Sequence, residues 1–384
     1  AGLAGAGIAQ ALARTGVHTA VFERRPLAAD EGSGNAGGLY HGVVHDDDGP
    51  HARWLRAAAL RAQRVYAPLI DSGIVPGARA GLLRAEARRD WPHMVATLAR
   101  LGLPTEFAQA LNAAQAATRS TWACGLPAWW LPGAGWIAPR ALAQHWLGHT
   151  GIDLHLGCTV ASIQPCDEGW RLLDPDGALL HTTQAVVLAN AADAVRLLGE
   201  APGPWQRTRG QVSLWDGEHP PLPVPMAGAG YALQLDDARL LFGATSQVDD
   251  LDPDVRPEDH RSNAAALQGL IGWCPAASGM PGWPGRVGWR LQTADRLPWV
   301  GPAPTRQPGP AARLDQARFI GRQDGLYVLA GLGSRGLTLA PLAAELLASW
   351  ITGEPLPVPA RMVDAVDVAR FAARSARVGR FGGA

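Results

Sequence analysis

Glycines at the start of the chain have the spacing of a dinucleotide-binding turn. Gly2 and Gly5 match the second and third glycines of the G-x-G-x-x-G fingerprint, and Glu23 ends a strand-like run about 20 residues further on. In this fingerprint the second glycine lets the backbone approach a pyrophosphate, the third allows close helix packing, and the acidic side chain binds a ribose hydroxyl. The pattern predicts a nucleotide cofactor such as FAD or NAD. The alternative interpretation is a helix of small residues and a strand without a ligand.

A second glycine-rich segment lies near the other end of the chain. The sequence GLGSRGLT, residues 331–338, follows an apolar strand-like run and precedes a helical pattern. Backbone N–H groups and the helix dipole at such a helix start favour an anion or an electron-rich ligand atom. Nucleotide-binding signals at both ends of a chain are typical of flavoproteins in which a substrate domain interrupts the cofactor domain.

The elements that must position these turns are a mixture of helices and strands. Helical periodicity covers residues 52–70, 91–101, 106–117, 139–147, 257–271 and 337–353, and strand patterns include 154–164, 285–293 and 326–333. The expected fold is α/β plus α+β. It has a discontinuous Rossmann-like FAD-binding domain, whose first strand is missing from this chain, and an inserted antiparallel-sheet substrate domain. The expected FAD-binding domain comprises residues 1–50, 136–200 and 316–384, and the expected substrate domain comprises residues 51–135 and 201–315.

The composition excludes several kinds of chemistry. The 384 residues include 34 basic and 34 acidic side chains, and every basic one is an arginine. Without lysine there is no Schiff-base lysine, no pyridoxal-phosphate anchor and no Walker-type phosphate lysine. A net charge of zero argues against a chain that grips nucleic acid by bulk electrostatics alone.

Cysteine usage and hydropathy indicate the cellular setting. Cys124, Cys158, Cys166 and Cys274 form no C-x-x-C pair, which argues against a disulfide framework or a structural zinc site. No apolar run approaches the ~18 residues of a membrane helix, and the chain starts with no signal-peptide pattern. We therefore expect a cytoplasmic protein. The missing initial methionine favours a fragment of a longer chain.

Longer motifs give a more specific indication than the glycines alone. They are GSGNAGGLY (32–40), LPGAGWIAP (131–139), RGQVS (209–213), FGATS (242–246) and GWRLQTADRLPWVG (288–301). With the two terminal segments they cover nearly the whole chain. Together they resemble the FAD-dependent oxidoreductase half of the bifunctional bacterial enzymes that complete 5-methylaminomethyl-2-thiouridine at the tRNA wobble position (MnmC-type). That half belongs to the D-amino-acid/glycine oxidase-like flavoproteins.

The resemblance implies FAD as cofactor and a tRNA substrate. The implied reaction removes the carboxymethyl group, as glyoxylate, from 5-carboxymethylaminomethyl-(2-thio)uridine. The expected partners are tRNA and a methyltransferase domain or protein on the N-terminal side, with no metal and no membrane. By position, the implied cofactor-binding residues are Gly2, Gly5, Glu23, Ser33, Gly34, Asn35, Gly38, Val160, Gly333, Ser334, Gly336 and Leu337. Arg290 is the first candidate for a substrate carboxylate clamp, because a guanidinium offers a bidentate fork, and Arg335 is the second.

Two residues depart from the pattern of this family. Ala191 replaces the usual glycine after the VVLAN run and is expected to crowd the cofactor, and Ala294 replaces a second arginine of the R-x-x-T-R-D type run. Two other functions therefore stay open. One is a glycine or D-amino-acid oxidase-type enzyme acting on a small amine. The other is a truncated, non-catalytic module that serves a methyltransferase.

The His- and Asp-rich segment 41–51 and the tryptophans have a structural and a functional interpretation. We interpret the segment as a solvated loop rather than a metal site. Most of the 15 tryptophans are expected in the core, with Trp129, Trp130 and Trp136 as candidate pocket walls.

Two runs of arginine with helical spacing are either solvated helix faces or contacts to phosphate. These runs comprise the arginines at positions 53, 56, 61 and 64 and those at 370, 374, 377 and 380. For Arg290, the alternative to a substrate clamp is an ion pair with Asp295.

Overall fold

The computed structural model describes residues 1–120, 125–276, 280, 282–305 and 313–381, so Cys124 lies outside the described residues. The α-helices in this part are α1 (Leu3–Arg14), α2 (Pro50–Asp71), α3 (Trp91–Leu101), α4 (Ala113–Ser120), α5 (Pro139–Leu147), α6 (Ala192–Leu198), α7 (Pro257–Ile271), α8 (Gly336–Thr352), α9 (Ala360–Val366) and α10 (Arg370–Phe381).

The strands up to residue 188 are β1 (Thr19–Glu23), β2 (Gly38–Tyr40), β3 (Gly77–Ala78), β4 (Leu82–Ala85), β5 (Gln109–Leu111), β6 (Ala128–Leu131), β7 (Gly135–Ile137), β8 (Ile152–Leu156), β9 (Ser162–Cys166), β10 (Gly169–Leu173), β11 (Leu179–Thr183) and β12 (Val186–Leu188). The later strands are β13 (Trp205–Asp216), β14 (Met226–Ala227), β15 (Tyr231–Gln234), β16 (Arg239–Gly243), β17 (Gln247–Val248), β18 (Gly285–Thr293), β19 (Trp299–Pro304) and β20 (Arg322–Ala330).

The chain divides into two compact units, each built from separate segments. The first unit comprises Ala1–Ser33, Ala143–Arg207 and Arg290–Ala384, and the second comprises Gly34–Leu142 and Thr208–Trp289. These boundaries differ from the expected domain ranges, because strand pairing crosses those ranges. β2 and β3 both pair with β7 in the second unit, and β19 pairs with β20 in the first. The assignment of FAD binding to one unit and of substrate binding to the other stays a prediction.

The first unit contains parallel and antiparallel strand pairs. β1 pairs with β8 in parallel, β20 lies between parallel β12 and antiparallel β19, and β9, β10 and β11 form an antiparallel meander. Helix α1 packs on α8. β20 is apolar along its second half, and its Val328 is fully buried beside Trp299 and Leu188. A continuous apolar run of this kind is typical of a strand covered on both faces.

The second unit is built around a large sheet with the order β17-β13-β16-β15-β14-β4-β6-β5, in which β14 and β4 are the parallel pair. β18 pairs with β13 off this path, and β2, β7 and β3 form a separate sheet. The core beside the large sheet contains Phe242, Met226 and Leu83 from three of its strands. A mainly antiparallel sheet was expected for this part of the chain.

The local predictions succeed where periodicity is long and fail at short segments. The bounds of α5, α7 and β18 match the predicted ranges. The predicted helix over 106–117 is wrong in its first half, because β5 pairs there with β6 before α4 begins. The predicted strand over 154–164 is interrupted, because Gly157 adopts a left-handed conformation (φ +65°) that ends β8. No helix among the described residues is both long and apolar enough to cross a bilayer.

Candidate active site

Helix α1 begins at a glycine that provides no capping side chain. Gly2 is the N-cap residue, with extended backbone angles (φ −82°, ψ −173°). The hydroxyl of Ser33 accepts a hydrogen bond from the N–H of Leu3 at 3.1 Å. A Cβ at position 2 would lie 3.1 Å from the same hydroxyl oxygen, so glycine leaves room for Ser33 at the helix start. The first-turn N–H groups have no carbonyl partner one turn earlier, and those after Leu3 point to the side where an anion can bind.

A carboxylate and a close helix–strand contact complete this turn. Oε2 of Glu23 lies 2.7 Å from the backbone nitrogen of Ala1, and Oε1 accepts a hydrogen bond from the N–H of Arg25 at 2.9 Å. A Cβ at Gly5 would lie 3.8 Å from Cβ of Ala189, directly after β12, which shows how closely α1 approaches that strand. The structure therefore brings together four of the predicted residues, which are Gly2, Gly5, Glu23 and Ser33.

The start of helix α8 lies beside the start of helix α1. A 3₁₀ turn over Gly333–Arg335 leads into α8, whose N-cap residue makes no side-chain capping hydrogen bond. A Cβ at Gly336 would lie 3.5 Å from Cδ1 of Leu3. Two helix N-termini, each with partial positive charge, therefore meet through Gly336 and Leu3. Leu337 is buried behind them, and Ser334 is exposed.

Arg290 shares one face of β18 with Gln292, which contacts the glycine turn before α8. Side chains alternate along a strand, and Leu291 and Thr293 are buried on the opposite face. Gln292, on the same face as Arg290, forms a β-bridge with Leu332 and places its Oε1 3.5 Å from where a Gly333 Cβ would be. Sequence reasoning missed Gln292, although its two-residue spacing from Arg290 could have indicated it.

The carboxylate of Asp295, considered as an alternative partner of Arg290, is bound by two arginines of α10. Arg370 donates to both carboxylate oxygens at 2.9 Å, and Arg374 donates at 2.7 Å. The functional interpretation of the arginines at 370 and 374 as phosphate contacts is therefore replaced by a structural one. The described contacts of Arg377 include a hydrogen bond to the carbonyl of Asp315.

The remaining predicted cofactor residues lie elsewhere. Gly34, Asn35 and Gly38 belong to the second unit, where Gly38 begins β2 opposite Ile137. Val160 was expected on a strand, which is wrong, since it lies in the connection between β8 and β9. Its carbonyl accepts a hydrogen bond from Nη2 of Arg196 at 3.2 Å.

The loop at Gly34 and the start of α6 at Ala191 differ in how well their residue type suits the local backbone. A Cβ at Gly34 would clash with the guanidinium of Arg286, so glycine lets this arginine lie directly on the loop backbone. Sequence reasoning missed Arg286. Ala191, at the position where relatives were expected to have glycine, has φ +51° and ψ −121° as the N-cap residue of α6. This conformation is disfavoured for any residue with a Cβ.

The His- and Asp-rich segment and the tryptophans have structural partners. Asp46 accepts hydrogen bonds from Arg89, and Asp48 pairs with Arg53 and Arg56 of α2. Within the described part of the chain no group of His, Cys, Asp and Glu is arranged to hold a metal ion. All three candidate wall tryptophans are buried in hydrophobic clusters, and Nε1 of Trp129 donates to Glu86 at 3.0 Å.

The residues gathered at the two helix starts suit a dinucleotide. Helix N–H donors and dipoles match a pyrophosphate, and a carboxylate beside the glycine turn matches a ribose hydroxyl. Glycine at position 2 suits the close approach of the Ser33 hydroxyl to this helix start. The local geometry therefore fits FAD.

Comparison with known proteins agrees with this geometry. Residues 1–350 match the family model described as DAO, FAD dependent oxidoreductase. The chain is 44% identical over 387 residues to the tRNA 5-methylaminomethyl-2-thiouridine biosynthesis bifunctional protein MnmC of Methylibium petroleiphilum, covering 97% of this chain and 59% of that protein. It is 38% identical over 396 residues to the protein of the same name from Burkholderia pseudomallei, covering 99% and 60%. The chain thus spans about three-fifths of the length of these curated relatives.

Solved structures of amine-oxidising enzymes have the same fold. Glycine oxidase from Geobacillus kaustophilus superposes with a TM-score of 0.75 at 22% identity, covering 96% of both chains. Iminodiacetate oxidase from Chelativorans superposes with a TM-score of 0.72 at 23% identity, covering 96% of this chain and 97% of the other. The matched residues and the geometry lead to one conclusion. The chain belongs to the DAO family of FAD-dependent oxidoreductases, and its cofactor is FAD.

Proposed function

We propose that the chain removes the carboxymethyl group from 5-carboxymethylaminomethyl-(2-thio)uridine at the wobble position of tRNA. The secondary amine R–CH2–NH–CH2–COO⁻, with FAD and water, gives R–CH2–NH2, glyoxylate and reduced FAD. Bound FAD supplies the acceptor for the hydride that leaves the carbon between nitrogen and carboxylate. The relatives named for 5-methylaminomethyl-2-thiouridine biosynthesis support this substrate.

The observation that carries the proposal is the set of groups around the starts of α1 and α8. Gly2, Gly5, Glu23 and Ser33 would hold the ADP part of the cofactor. The turn over Gly333–Arg335, with Gly336 and Leu337 after it, would approach the flavin ring with backbone N–H groups at a helix start, where they stabilise negative charge. These are assignments by position and chemistry, as are those of Gly34, Asn35, Gly38 and Val160.

Arg290 is the proposed clamp for the substrate carboxylate. It is half-buried and shares a face of β18 with Gln292, which bridges to Leu332, and its fork could bind both carboxylate oxygens of a substrate. Its role would be to hold the carbon between nitrogen and carboxylate at a fixed position and to lower the entropy cost of reaching the reactive geometry. Arg335 is the second candidate for this role.

We propose a Rossmann-like FAD-binding domain for the first unit and a substrate domain for the second. Among the described strands, β1 pairs with β8 and β12 pairs with β20. The other edge of β1 and the other edge of β12 are therefore unpaired among these strands. Phe22 of β1 packs on the cluster that contains Val186 and Leu188 of β12. One further parallel strand would fit between them. An apolar segment of about five residues joined ahead of Ala1 should then raise both the melting temperature and the affinity for FAD.

The proposed partners are tRNA and a methyltransferase domain or protein, and the proposed location is the cytoplasm. The word "bifunctional" in the names of the relatives supports the methyltransferase. The neutral net charge supports sharing of the tRNA contacts with that partner, since a chain without excess positive charge gains little from counterion release.

The test is anaerobic visible absorption of the FAD-loaded chain. Addition of tRNA carrying the carboxymethylaminomethyl group should bleach the flavin bands, and unmodified tRNA should not. The Arg290→Met variant loses the guanidinium but keeps most of the bulk of the side chain. Its flavin bands should bleach far more slowly on addition of the modified tRNA.

Free glycine distinguishes the second candidate function, which the likeness in fold to glycine oxidase supports. Bleaching by glycine and not by modified tRNA would contradict the proposal and assign the chain to the small-amine oxidases. A chain that retains no FAD would support the non-catalytic module.

A further inference from the structure

One buried arginine of α10 fixes the loop between β18 and β19. Arg370 is 2% exposed, and its Nε and Nη2 donate to the two carboxylate oxygens of Asp295 at 2.9 Å each. Nη2 also donates to the carbonyl of Leu297 at 2.8 Å, and Nη1 donates to the carbonyl of Pro298 at 3.0 Å. A single guanidinium therefore holds both a side chain and the backbone of this loop.

Thr293 transmits this constraint to the glycine turn of the candidate site. Its Oγ1 lies 2.6 Å from the carbonyl oxygen of Leu297 and 3.0 Å from Oδ1 of Asp295. On the other side, Cγ2 of Thr293 lies 3.1 Å from where a Cβ of Gly331 would be. Gly331 is left-handed (φ +75°) and begins the turn that ends at Arg335.

The C-terminal end of the loop is also connected to the turn over Gly331–Arg335. Trp299, fully buried, follows Pro298 and pairs with Ala330, the residue directly before Gly331. Upstream of the loop, the Gln292–Leu332 bridge joins β18 to the turn. A displacement of the loop would therefore move the turn from both sides.

The charges in this network favour the paired state. Burial alone would raise the pKa of Asp295, but the hydrogen bonds and charges of Arg370 and Arg374 outweigh burial and hold that pKa well below its ordinary value. Arg374 is half-exposed and adds a contact to one oxygen only. Arg370 therefore determines the geometry, and Arg374 mainly adds charge.

The helix that supplies these arginines follows the residues matched by the family model. The match to the family model ends at residue 350, and α9 and α10 begin at Ala360 and Arg370. The arginines that hold this loop therefore lie outside the residues matched by the family model.

We propose that Arg370 is a positioning residue for the candidate active site. Through Asp295 and Thr293 it sets the backbone of the turn over Gly331–Arg335 and the end of the strand that carries Arg290. The consequence for turnover of tRNA rests on the proposed function, whereas the consequence for the turn does not.

The experiment compares Arg370→Met with the double variant Asp295→Leu/Arg370→Met. Amide hydrogen exchange over residues 329–337 is measured in the chain without FAD, together with the melting temperature, the visible spectrum after FAD loading and kcat/KM. Arg370→Met should lower the melting temperature and raise exchange in the turn about 10-fold or more. It should also weaken kcat/KM by about 10-fold to 100-fold, as expected for displaced reacting groups.

The double variant separates positioning from charge pairing. Replacing both partners by apolar side chains removes the unpaired buried charge, so the melting temperature should recover in part. Exchange in the turn and kcat/KM should not recover, because the contacts to the Leu297 and Pro298 carbonyls are still absent. Recovery of all measured quantities, or normal exchange in Arg370→Met, would overturn the inference.

Two further variants keep the experiment decisive. If Arg370→Met does not fold, Arg370→Lys keeps the charge but loses the fork, and faster exchange in the turn at a nearly unchanged melting temperature would support positioning. Unchanged exchange in Arg370→Lys would contradict it. Arg361→Met, an exposed position in α9, should behave as the unmodified chain. If the unmodified chain does not act on tRNA, the proposed function fails while the exchange result still decides the role of Arg370.

Discussion

Each of the two units contains a largely buried arginine–carboxylate pair. In the second unit the side chains of Arg209 and Asp259 are 0% and 4% exposed, and in the first unit those of Arg370 and Asp295 are 2% and 19% exposed. Both arginines also hold backbone carbonyls, which for Arg209 are those of Asp252 and Asp254. In both pairs a buried guanidinium binds a carboxylate and backbone carbonyls, although Asp295 is more exposed than Asp259.

Their surroundings differ. Asp259 also accepts a hydrogen bond from Gln247, while Ser213, His260 and Asn263 form a neighbouring buried group with 2.7 Å between the serine hydroxyl and His260 Nδ1. None of these residues is a predicted site residue. The Asp295 pair, in contrast, contacts Thr293, whose side chain lies against Gly331 of the glycine turn in the candidate site. What a buried pair does is therefore decided by what its loop is attached to, and not by the pair itself.

The largest expected effect is on folding stability at Arg209. Arg209→Met leaves the carboxylate of Asp259 buried without its cation, which should lower the free energy of unfolding by about 3–5 kcal/mol. Denaturant unfolding followed by circular dichroism measures this loss. Arg239→Met, which breaks an exposed pair with Asp236, is the matched control and should cost about 1 kcal/mol or less. Equal losses in both variants would show that burial of the Arg209 pair has no special weight.

The next effect sharpens the difference between scaffold and site. Arg290→Met should lower kcat/KM for the modified tRNA about 100-fold, since it removes a charged hydrogen-bonding partner of the substrate. The free energy of unfolding should fall by less than in Arg209→Met, because the Arg290 side chain is half-buried whereas that of Arg209 is fully buried. Steady-state kinetics and denaturation on the same preparation check both values. A loss of stability comparable to that of Arg209→Met would make Arg290 a structural residue.

The pH dependence of stability tests the Asp295 pair directly. Because its folded pKa is depressed, the stability that ionised Asp295 contributes is complete above its ordinary pKa of 3.8 and is lost as the pH falls below that value. Asp295→Asn should therefore make stability less dependent on pH in this acid range and should have lower stability than the unmodified chain near neutral pH. Thermal melts between about pH 2 and pH 7 check the sign. If the stability of the variant fell with decreasing pH as steeply as that of the unmodified chain, the lowered pKa of Asp295 would be contradicted.

The smallest effect concerns the backbone next to β12. Ala191→Gly removes a Cβ from a left-handed residue and should raise the free energy of unfolding by about 1 kcal/mol. Ala194→Gly, in the following helix, should instead lower it by about 1 kcal/mol, because glycine weakens a helix interior. Thermal melts of the two variants should therefore shift in opposite directions. A stabilised Ala191→Gly that also binds FAD more tightly would support the expected crowding of the cofactor by the alanine.

Local signals predicted the elements and the first turn of the site. Long periodic patterns located α5, α7 and β18, and glycine spacing located the start of α1 with Glu23 beside it. The predicted Ser33 was found against Leu3, although no local pattern joins them. Short segments were less predictable, because a few residues such as 109–111 form a strand only when a partner strand is present.

The arginines of α10 show why some contacts of the structure could not be predicted from the sequence. Their helical spacing is the same as that of a solvated basic face, and Arg370 is 75 residues away from Asp295 in the chain. Sequence alone gives no reason to prefer this partner over water. The same holds for Arg286, whose contact with Gly34 joins residues that lie far apart along the chain.

The sequence by itself determined the chemistry that is available: arginine as the only cationic side chain besides histidine, two glycine-rich helix starts and an acidic residue at the end of β1. These properties depend on residue type and on neighbours within a few positions, where backbone preference and helix geometry act. Only the tertiary structure decided that Leu3 and Gly336 bring the two helix starts together, and that Asp295 binds Arg370. Contacts of this kind form because packing buries charges and helix ends that must then find partners, and which partners they find depends on the whole fold.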